Sequence, residues 1–254
     1  MTLSSEIFDY LDTLAPRELA MDWDNCGLQI GSRNLAVSKI LVALDPFEDV
    51  CQEAISAGAQ LIVTHHPLFF DPIKAVTDET AIGRAAAMLI HSGISLYSCH
   101  TDLDVAPGGV NDCLARVLGL ESIETFGSEN LLRRGNIPEQ PLSEFLGAVK
   151  ARLSCPGLRY VDAGKPCRKI AVGGGACADA IPDAAGAGCD TFVTSDIRYN
   201  RFWDAFDLGL NLIDAGHFYT ENPVCAYLAE KIQVHFPELT VQISQNHWDC
   251  MKFF

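Results

Sequence analysis

Four of the seven histidines and two carboxylates follow short apolar segments, at spacings that suit metal binding. Imidazole nitrogen combined with carboxylate oxygen suits Zn, Fe or Mn, and no thiolate is in the set to favour a softer ion. We therefore predict a site for two divalent metal ions per chain. Its predicted ligands are His65, His66, Asp104, His217 and Glu221.

The two adjacent histidines indicate how two ions could be shared. Adjacent residues on an extended segment point in opposite directions, so we expect His65 and His66 to serve different ions. Asn222 and Pro223 have the residue types that begin a helix, as N-cap and first helical residue. This places Glu221 at the start of that helix, where its carboxylate could bridge two ions.

Each of these residues also has an ordinary structural interpretation. A His-His pair is commonly a surface or packing feature, and Asp104 could simply be a turn residue. Glu221 could favour a helix N-terminus electrostatically, and His217 could be a hydrogen-bonded core histidine. Metal binding is the preferred hypothesis because all of them follow predicted strands, and ligands bind at the carboxyl ends of strands in open α/β sheets.

Two further residues are candidates for a catalytic role. His100 is expected either to support the metal ligands or to carry a proton beside them. Asp196 lies in the segment 195–197, which is expected to line the opening through which substrate enters. Replacing Asp196 is therefore expected to reduce turnover more than metal content. The other three histidines are interpreted as structural.

The elements that must position these residues alternate between strands and helices. Apolar runs and helix-stopping glycines predict a parallel-rich sheet covered by helices on both faces. The predicted strands are 39–44, 60–64, 94–98, 169–174, 191–194 and 211–215, with helices at 48–57, 79–91 and about 109–118.

The second half of the chain repeats the first. Residues 40–64 match 170–194 without a gap, an offset of 130 residues (170 minus 40). The halves differ where His65-His66 in the first is Ser195-Asp196 in the second. The sequence therefore predicts an α/β fold of two duplicated repeats, 1–125 and 126–254. The matching pairs are Ile40 with Ile170, Val42 with Val172, Gly58 with Gly188 and Val63 with Val193.

Composition excludes several other classes of protein. With 18 basic and 33 acidic residues, the net charge of −15 makes nucleic-acid binding unlikely to be the function. No apolar run approaches the roughly 18 residues of a membrane span, and the N-terminus does not resemble an export signal. A cytoplasmic location is therefore expected. The ten cysteines contain no C-x-x-C pair and are interpreted as reduced thiols.

Five segments together resemble the NIF-three-like family, many of whose members are named GTP cyclohydrolase 1 type 2. They are WDNCGLQIG (23–31), ILVALD (40–45), GAQLIVTHHPLFF (58–70), HTDLDVAPGGVND (100–112) and LIDAGHFYTE (212–221). The likeness covers nearly the whole chain. It implies two intertwined α/β/α three-layer repeats, a toroidal homohexamer built as a trimer of dimers, and a dinuclear centre. The family positions of its ligands match His65, His66, Asp104, His217 and Glu221 here.

The sequence departs from the family pattern in two places. Some members carry an inserted domain between the halves, for which this chain has no room. Many members have Thr-Gly and a downstream Tyr-His, where this chain has Thr194-Ser195-Asp196 and Tyr199-Asn200. Substrate specificity could differ if that loop binds substrate.

The predicted function is that of a dinuclear metal-dependent hydrolase. Two metal ions bridged by a carboxylate can activate water, and the expected substrate is a small molecule, a nucleotide or a related heterocycle. The resemblance implies opening of the purine ring of GTP with release of formate. The alternative is a non-catalytic metal-binding protein, namely a metal carrier, an insertase or an oligomeric adaptor.

Overall fold

The computed structural model describes residues 1–254, which form two compact units. Unit 1 consists of Met1–Pro107 and Val224–Trp248, and unit 2 consists of Gly108–Pro223 and Asp249–Phe254. This division differs from the consecutive repeats predicted at 1–125 and 126–254. The physical reason is that the late strand Thr240–Ile243 pairs with a strand of unit 1.

Strands and α-helices alternate along much of the chain. The strands are β1 (Thr2–Leu3), β2 (Gly27–Ile30), β3 (Ala36–Val37), β4 (Lys39–Ala43), β5 (Leu61–Thr64), β6 (Ser95–Ser98), β7 (Glu121–Phe126), β8 (Leu132–Gln140), β9 (Arg159–Val161), β10 (Cys167–Val172), β11 (Thr191–Thr194), β12 (Asn211–Asp214) and β13 (Thr240–Ile243). The α-helices are α1 (Ser4–Leu14), α2 (Glu48–Ala57), α3 (Ala81–Ser92), α4 (Thr101–Val105), α5 (Val110–Val117), α6 (Leu142–Leu153), α7 (Ile181–Gly186), α8 (Tyr199–Asp207), α9 (His217–Glu221) and α10 (Pro223–His235). None of these helices combines the length and apolarity that a membrane crossing requires.

Unit 1 is built on a five-stranded sheet in the order β13-β4-β5-β6-β2. The first four strands are parallel, as predicted for β4, β5 and β6, whereas β13 was not predicted; β2 closes the sheet as an antiparallel edge. Helices cover both faces of this sheet. Leu41 and Ala43 pack with α2 and α3, whereas Ile40 and Val42 point to the other face and are equally buried. On that second face, Phe8 of α1 stacks on Tyr97 of β6, with ring centroids 4.7 Å apart.

Unit 2 is built on a six-stranded sheet in the order β7-β8-β10-β11-β12-β9. The central strands β10, β11 and β12 are parallel. Alternate residues of β10 lie in two separate hydrophobic cores. Ile170 and Val172 pack with α5 and α6, whereas Ala171 packs with α7 and α8. This is the expected α/β/α layering. The flanking antiparallel strands β7, β8 and β9 were not predicted, because their residues are largely polar and partly exposed.

The strand register repeats from one unit to the other. In unit 1, Val42 of β4 lies opposite Val63 of β5. In unit 2, Val172 of β10 lies opposite Val193 of β11, which preserves the offset of 130. Gly58, which ends α2, has a left-handed φ of 67° that favours glycine. The predicted correspondence between 40–64 and 170–194 is thus confirmed in the pairing of the strands.

Candidate metal centre

Three histidines of unit 1 converge beyond the carboxyl ends of two neighbouring parallel strands. His65 and His66 follow β5, and His100 follows β6 by two residues. The ring centroid of His100 lies 5.2 Å from that of His65 and 5.6 Å from that of His66. The three residues offer one ring nitrogen each, and these nitrogens lie within 4.8 Å of one another. This cluster could therefore hold a metal ion.

The adjacent histidines do not diverge as predicted. The ring centroids of His65 and His66 are only 4.8 Å apart, and both rings contribute to the same cluster. The expectation of opposite directions is wrong because β5 ends at Thr64 and the backbone bends over the next two residues, so strand alternation no longer applies. Each of the two also belongs to a further candidate metal-binding group that lacks the other, so the expectation that they serve different ions stays a prediction.

Hydrogen bonds fix which ring nitrogen each of these two histidines presents. Nδ1 of His65 lies 2.9 Å from the carbonyl oxygen of Cys99, and Nδ1 of His66 lies 2.7 Å from Oδ1 of Asp45. A carbonyl or an ionised carboxylate can only accept, so both Nδ1 atoms carry the proton and donate it. Each ring then presents the lone pair of Nε2, which is the arrangement found for metal-bound histidines.

His100 is held in the same way by Asp24. Its Nδ1 lies 2.8 Å from Oδ1 of Asp24, whose side chain is fully buried. The backbone N–H of Thr101 donates to the other oxygen of Asp24 at 3.0 Å. Burial alone would raise the pKa of Asp24, but hydrogen bonds from His100, Thr101 and Cys26 outweigh it and hold that pKa well below its usual range. Asp24 is therefore an ionised anchor for the His100 ring.

Asp104 adds a carboxylate to the histidines of unit 1. His100 is the N-cap of the single-turn helix α4, and Asp104 lies four residues later on the same turn. Oδ1 of Asp104 is 3.7 Å from Nε2 of His65, a separation that leaves both atoms able to turn towards a common ion. The structure thus brings together the three predicted ligands of unit 1, with His100 beside them.

In unit 2, the predicted ligands His217 and Glu221 lie on the single-turn helix α9. The spacing of four residues places both side chains on one face, and Nε2 of His217 is 2.9 Å from Oε2 of Glu221. Glu221 is 4% exposed, so its carboxylate is desolvated. An imidazole and a buried carboxylate at this distance form a second set of potential metal ligands.

Asp196 orients the ring of His217. Oδ2 of Asp196 lies 2.6 Å from Nδ1 of His217, so the carboxylate accepts the Nδ1 proton. Burial lowers the pKa of His217, but the hydrogen bonds to Asp196 and Glu221 outweigh it and raise that pKa to about 10. The metal-free protein therefore carries a protonated His217 at neutral pH. The contact gives Asp196 a positioning role towards a ligand, beside the catalytic role predicted for it.

The glycine run at 173–175 brings backbone close to the unit 2 ligands. Gly175 has a φ of +64°, and a Cβ atom there would come within 2.1 Å of Oε1 of Glu221. Its backbone N–H donates to Oγ1 of Thr220 at 3.0 Å, and its carbonyl oxygen accepts from the N–H of Ser195 at 3.0 Å. Only glycine fits at this position, because the turn is in direct contact with α9, the helix that carries His217 and Glu221.

Asp45 is the functional residue that the sequence argument missed. It follows β4 by two residues, as the histidines follow their own strands, and this position was a usable signal. Asp24 lies in the segment WDNCGLQIG (23–31), and the structure places it at the site through its bond to His100.

A family model described as Duf34/NIF3 (NGG1p interacting factor 3) matches residues 2–249. The chain belongs to this family.

Two relatives are named GTP cyclohydrolase 1 type 2 homolog. The one from Clostridium perfringens is 35% identical over 237 residues, which are 90% of each chain. The one from Clostridium acetobutylicum is 31% identical and covers 98% of this chain and 97% of its own. A solved Bacillus cereus protein related to NIF3 superposes with a TM-score of 0.93 at 27% identity, covering 100% of this chain and 99% of the other.

Proposed function

We propose that this chain is a metal-dependent hydrolase that acts on a nucleotide or a related heterocycle. The observation that carries the proposal is the unit 1 cluster, in which three imidazoles are each fixed through Nδ1 and offer ring nitrogens within 4.8 Å of one another. His65, His66 and Asp104 match the nitrogen and oxygen ligands that Zn, Fe or Mn prefers in proteins, and His100 lies beside them.

We propose two divalent ions per chain, bound by His65, His66, Asp104, His217 and Glu221. A divalent ion held by these side chains would supply the Lewis acidity that activates water for hydrolysis. The ligand atoms of unit 1 are prepared by their partners, because the rings of His65 and His66 are each fixed in one tautomer. That the ligands of both units serve one dinuclear centre stays a prediction from the sequence.

His100 is proposed to move protons during hydrolysis. Opening a ring carbon–nitrogen bond requires that water lose a proton and that the leaving nitrogen gain one. Because Nδ1 of His100 donates to the ionised Asp24, the basic atom of this ring is Nε2, which faces the other two histidines. Nε2 can therefore accept the proton of water and return it to the leaving nitrogen.

The names of the relatives support a particular substrate class. Both clostridial relatives are called GTP cyclohydrolase 1 type 2 homolog, a name that refers to opening of the guanine ring of GTP. We propose ring opening of a purine nucleotide with release of formate as the specific reaction. Measurement of formate from GTP, with other nucleotides in parallel, tests it.

The experiment compares metal content and turnover in matched variants of the full chain. His65→Ala is expected to lose metal and turnover together, whereas His91→Ala, an exposed histidine of α3, should retain both. His100→Gln should keep the metal and lose roughly 10²- to 10⁴-fold in kcat. Stable metal binding without turnover of any nucleotide or heterocycle, combined with transfer of the ion to an acceptor protein, would establish the metal carrier instead.

We also propose that the protein acts as a homohexamer, arranged as a trimer of dimers. The resemblance to the family is the support for this state. Light scattering should give six times the 27.6 kDa mass of one chain. A monomer mass across a range of concentrations would contradict it.

A further inference from the structure

Two exposed aromatic rings lie beside the histidine cluster of unit 1. Trp23 is 62% exposed and Phe70 is 50% exposed. Their ring centroids are 6.3 Å apart and their planes are within 15° of parallel. Single exposed apolar side chains are common, but a pair of parallel rings next to candidate metal ligands is a different arrangement and requires a reason.

Neither ring is on a loosely held segment. The residue after Trp23 is Asp24, whose fully buried carboxylate accepts from His100 and from the N–H of Thr101. Nδ2 of Asn25 donates to the carbonyl oxygen of Phe69 at 2.7 Å, which joins the segment of Trp23 to that of Phe70. The exposed rings are therefore positioned in advance by polar contacts of the residues beside them.

The same contacts place the rings against His100. The His100 ring meets Trp23 edge-on with centroids 6.1 Å apart, and it meets Phe70 edge-on at 5.1 Å. His100 in turn lies 5.2 Å from His65, ring centre to ring centre. A flat molecule stacked on Trp23 and Phe70 would therefore lie within about one ring width of the group that is proposed to move protons.

We propose that Trp23 and Phe70 form a stacking platform for the planar nitrogen heterocycle of the substrate. This inference rests on the proposed function and deepens it, because it names the part of the substrate that is recognised. A ring face is recognised through stacking whatever base it belongs to. Recognition by stacking also suits a strongly acidic chain, which has little excess positive charge for binding phosphates.

The test uses tryptophan fluorescence of the zinc-loaded full chain. Trp23 is one of three tryptophans, so Trp203→Phe and Trp248→Phe together leave it as the only one. Guanosine, adenosine and cytidine are titrated as probes, with ribose and inorganic triphosphate as controls that lack a ring. At least one nucleoside is expected to quench the Trp23 emission, and neither control should.

Matched variants separate stacking from folding. Trp23→Leu and Phe70→Leu should each weaken nucleoside affinity roughly 10- to 100-fold, whereas Trp23→Phe should recover most of it. Phe47→Leu, an exposed phenylalanine before α2, should have no effect. Affinity in the Leu variants is measured by calorimetry, and equal zinc content in all variants shows that the cluster is intact.

Several results would overturn the platform. These are absence of quenching by all three nucleosides, unchanged nucleoside affinity in Trp23→Leu, or Trp23 emission that changes with protein concentration alone, which would mean that another copy of the chain covers the rings. Nucleoside binding that depends on Trp23, without turnover of any nucleotide, would leave the platform in place and count against the hydrolase.

Discussion

The two units use the same duplicated scaffold to present different donors. The cluster of unit 1 offers three imidazoles and one carboxylate, whereas unit 2 offers one imidazole and the buried carboxylate of Glu221. At the matching positions, His66 in unit 1 is Asp196 in unit 2. His66 is itself held through Nδ1 by Asp45, and Asp196 holds Nδ1 of His217. Unit 1 thus has a candidate ligand at the position where unit 2 has a residue that orients a candidate ligand.

The difference also changes how each unit behaves without metal. In unit 2, two carboxylates contact one imidazole and keep it protonated, with the pKa of His217 at about 10. In unit 1, Nδ1 of each histidine donates to one oxygen, and Nε2 of His65 lies 3.7 Å from Oδ1 of Asp104. A metal ion that binds in unit 2 must therefore displace the proton of His217.

The largest expected effect comes from removing the imidazoles of unit 1. The double variant His65→Ala/His66→Ala should lose at least one metal ion per chain under conditions in which the parent chain is saturated, because both imidazole ligands of unit 1 are gone. Elemental analysis after reconstitution with zinc measures this, with His91→Ala/His235→Ala as the matched control. Full metal content in the double variant would contradict the assignment of His65 and His66 as metal ligands.

A smaller but specific effect is expected from one methyl group in unit 2. Gly175→Ala would place Cβ within 2.1 Å of Oε1 of Glu221, so the carboxylate must move and metal affinity should fall. Gly188→Ala is the control, because its φ of +72° is similar and its Cβ meets nothing closer than 3.8 Å. Both variants should lose about 1 kcal/mol of stability through the left-handed backbone. Equal zinc affinities in the two variants would show that Glu221 is not a ligand.

The carboxylates that hold the rings should matter less than the ligands. Asp45→Ala and Asp196→Ala are each expected to weaken metal binding about 10- to 100-fold, since they orient His66 and His217 without binding the ion. Asp207→Ala removes an exposed acid and serves as the control for charge. Competition with a chromophoric chelator gives the affinities. If Asp196→Ala lowers kcat while metal affinity stays at the parent value, the catalytic role predicted from the sequence is the right one.

The pH dependence of metal affinity is the smallest expected effect, and it concerns His217 of unit 2. Because the pKa of His217 is raised to about 10, a metal ion must displace a proton from it throughout the neutral range, and affinity should rise with pH up to that value. Titration calorimetry in buffers of different ionisation enthalpy counts the protons released. His217→Ala should release about one proton fewer than the parent chain. An unchanged proton count would argue against a protonated His217.

Much of the central fold is predictable from local patterns. Helix α2 matches its predicted bounds of 48–57, because its buried face recurs at helical spacing and Gly58 ends it. Strands β5 and β11 are apolar runs buried on both faces, which makes them visible in the sequence. The hairpin of β7 and β8 was not predicted, because its residues are largely polar and their sequence is typical of a loop.

The candidate site was only partly predictable for a different reason. Ligand types and their place after strands are local properties, so His65 and Glu221 could be found. The contact of Asp24 with His100 spans 76 residues, and that of Asp45 with His66 spans 21, so the pairing itself cannot be predicted from neighbouring residues even where the position after a strand is a signal. The directions of His65 and His66 depend on a backbone bend just beyond β5, which alternation along a strand does not describe.

The most direct test of the account is the anomalous difference map of a zinc-loaded crystal of this chain. The account predicts peaks about 2.0–2.1 Å from imidazole Nε2 atoms of the unit 1 cluster and from Nε2 of His217, with carboxylate oxygens completing the coordination. Peaks about 2.3 Å from cysteine sulfurs, or no peak at either set of histidines, would contradict it.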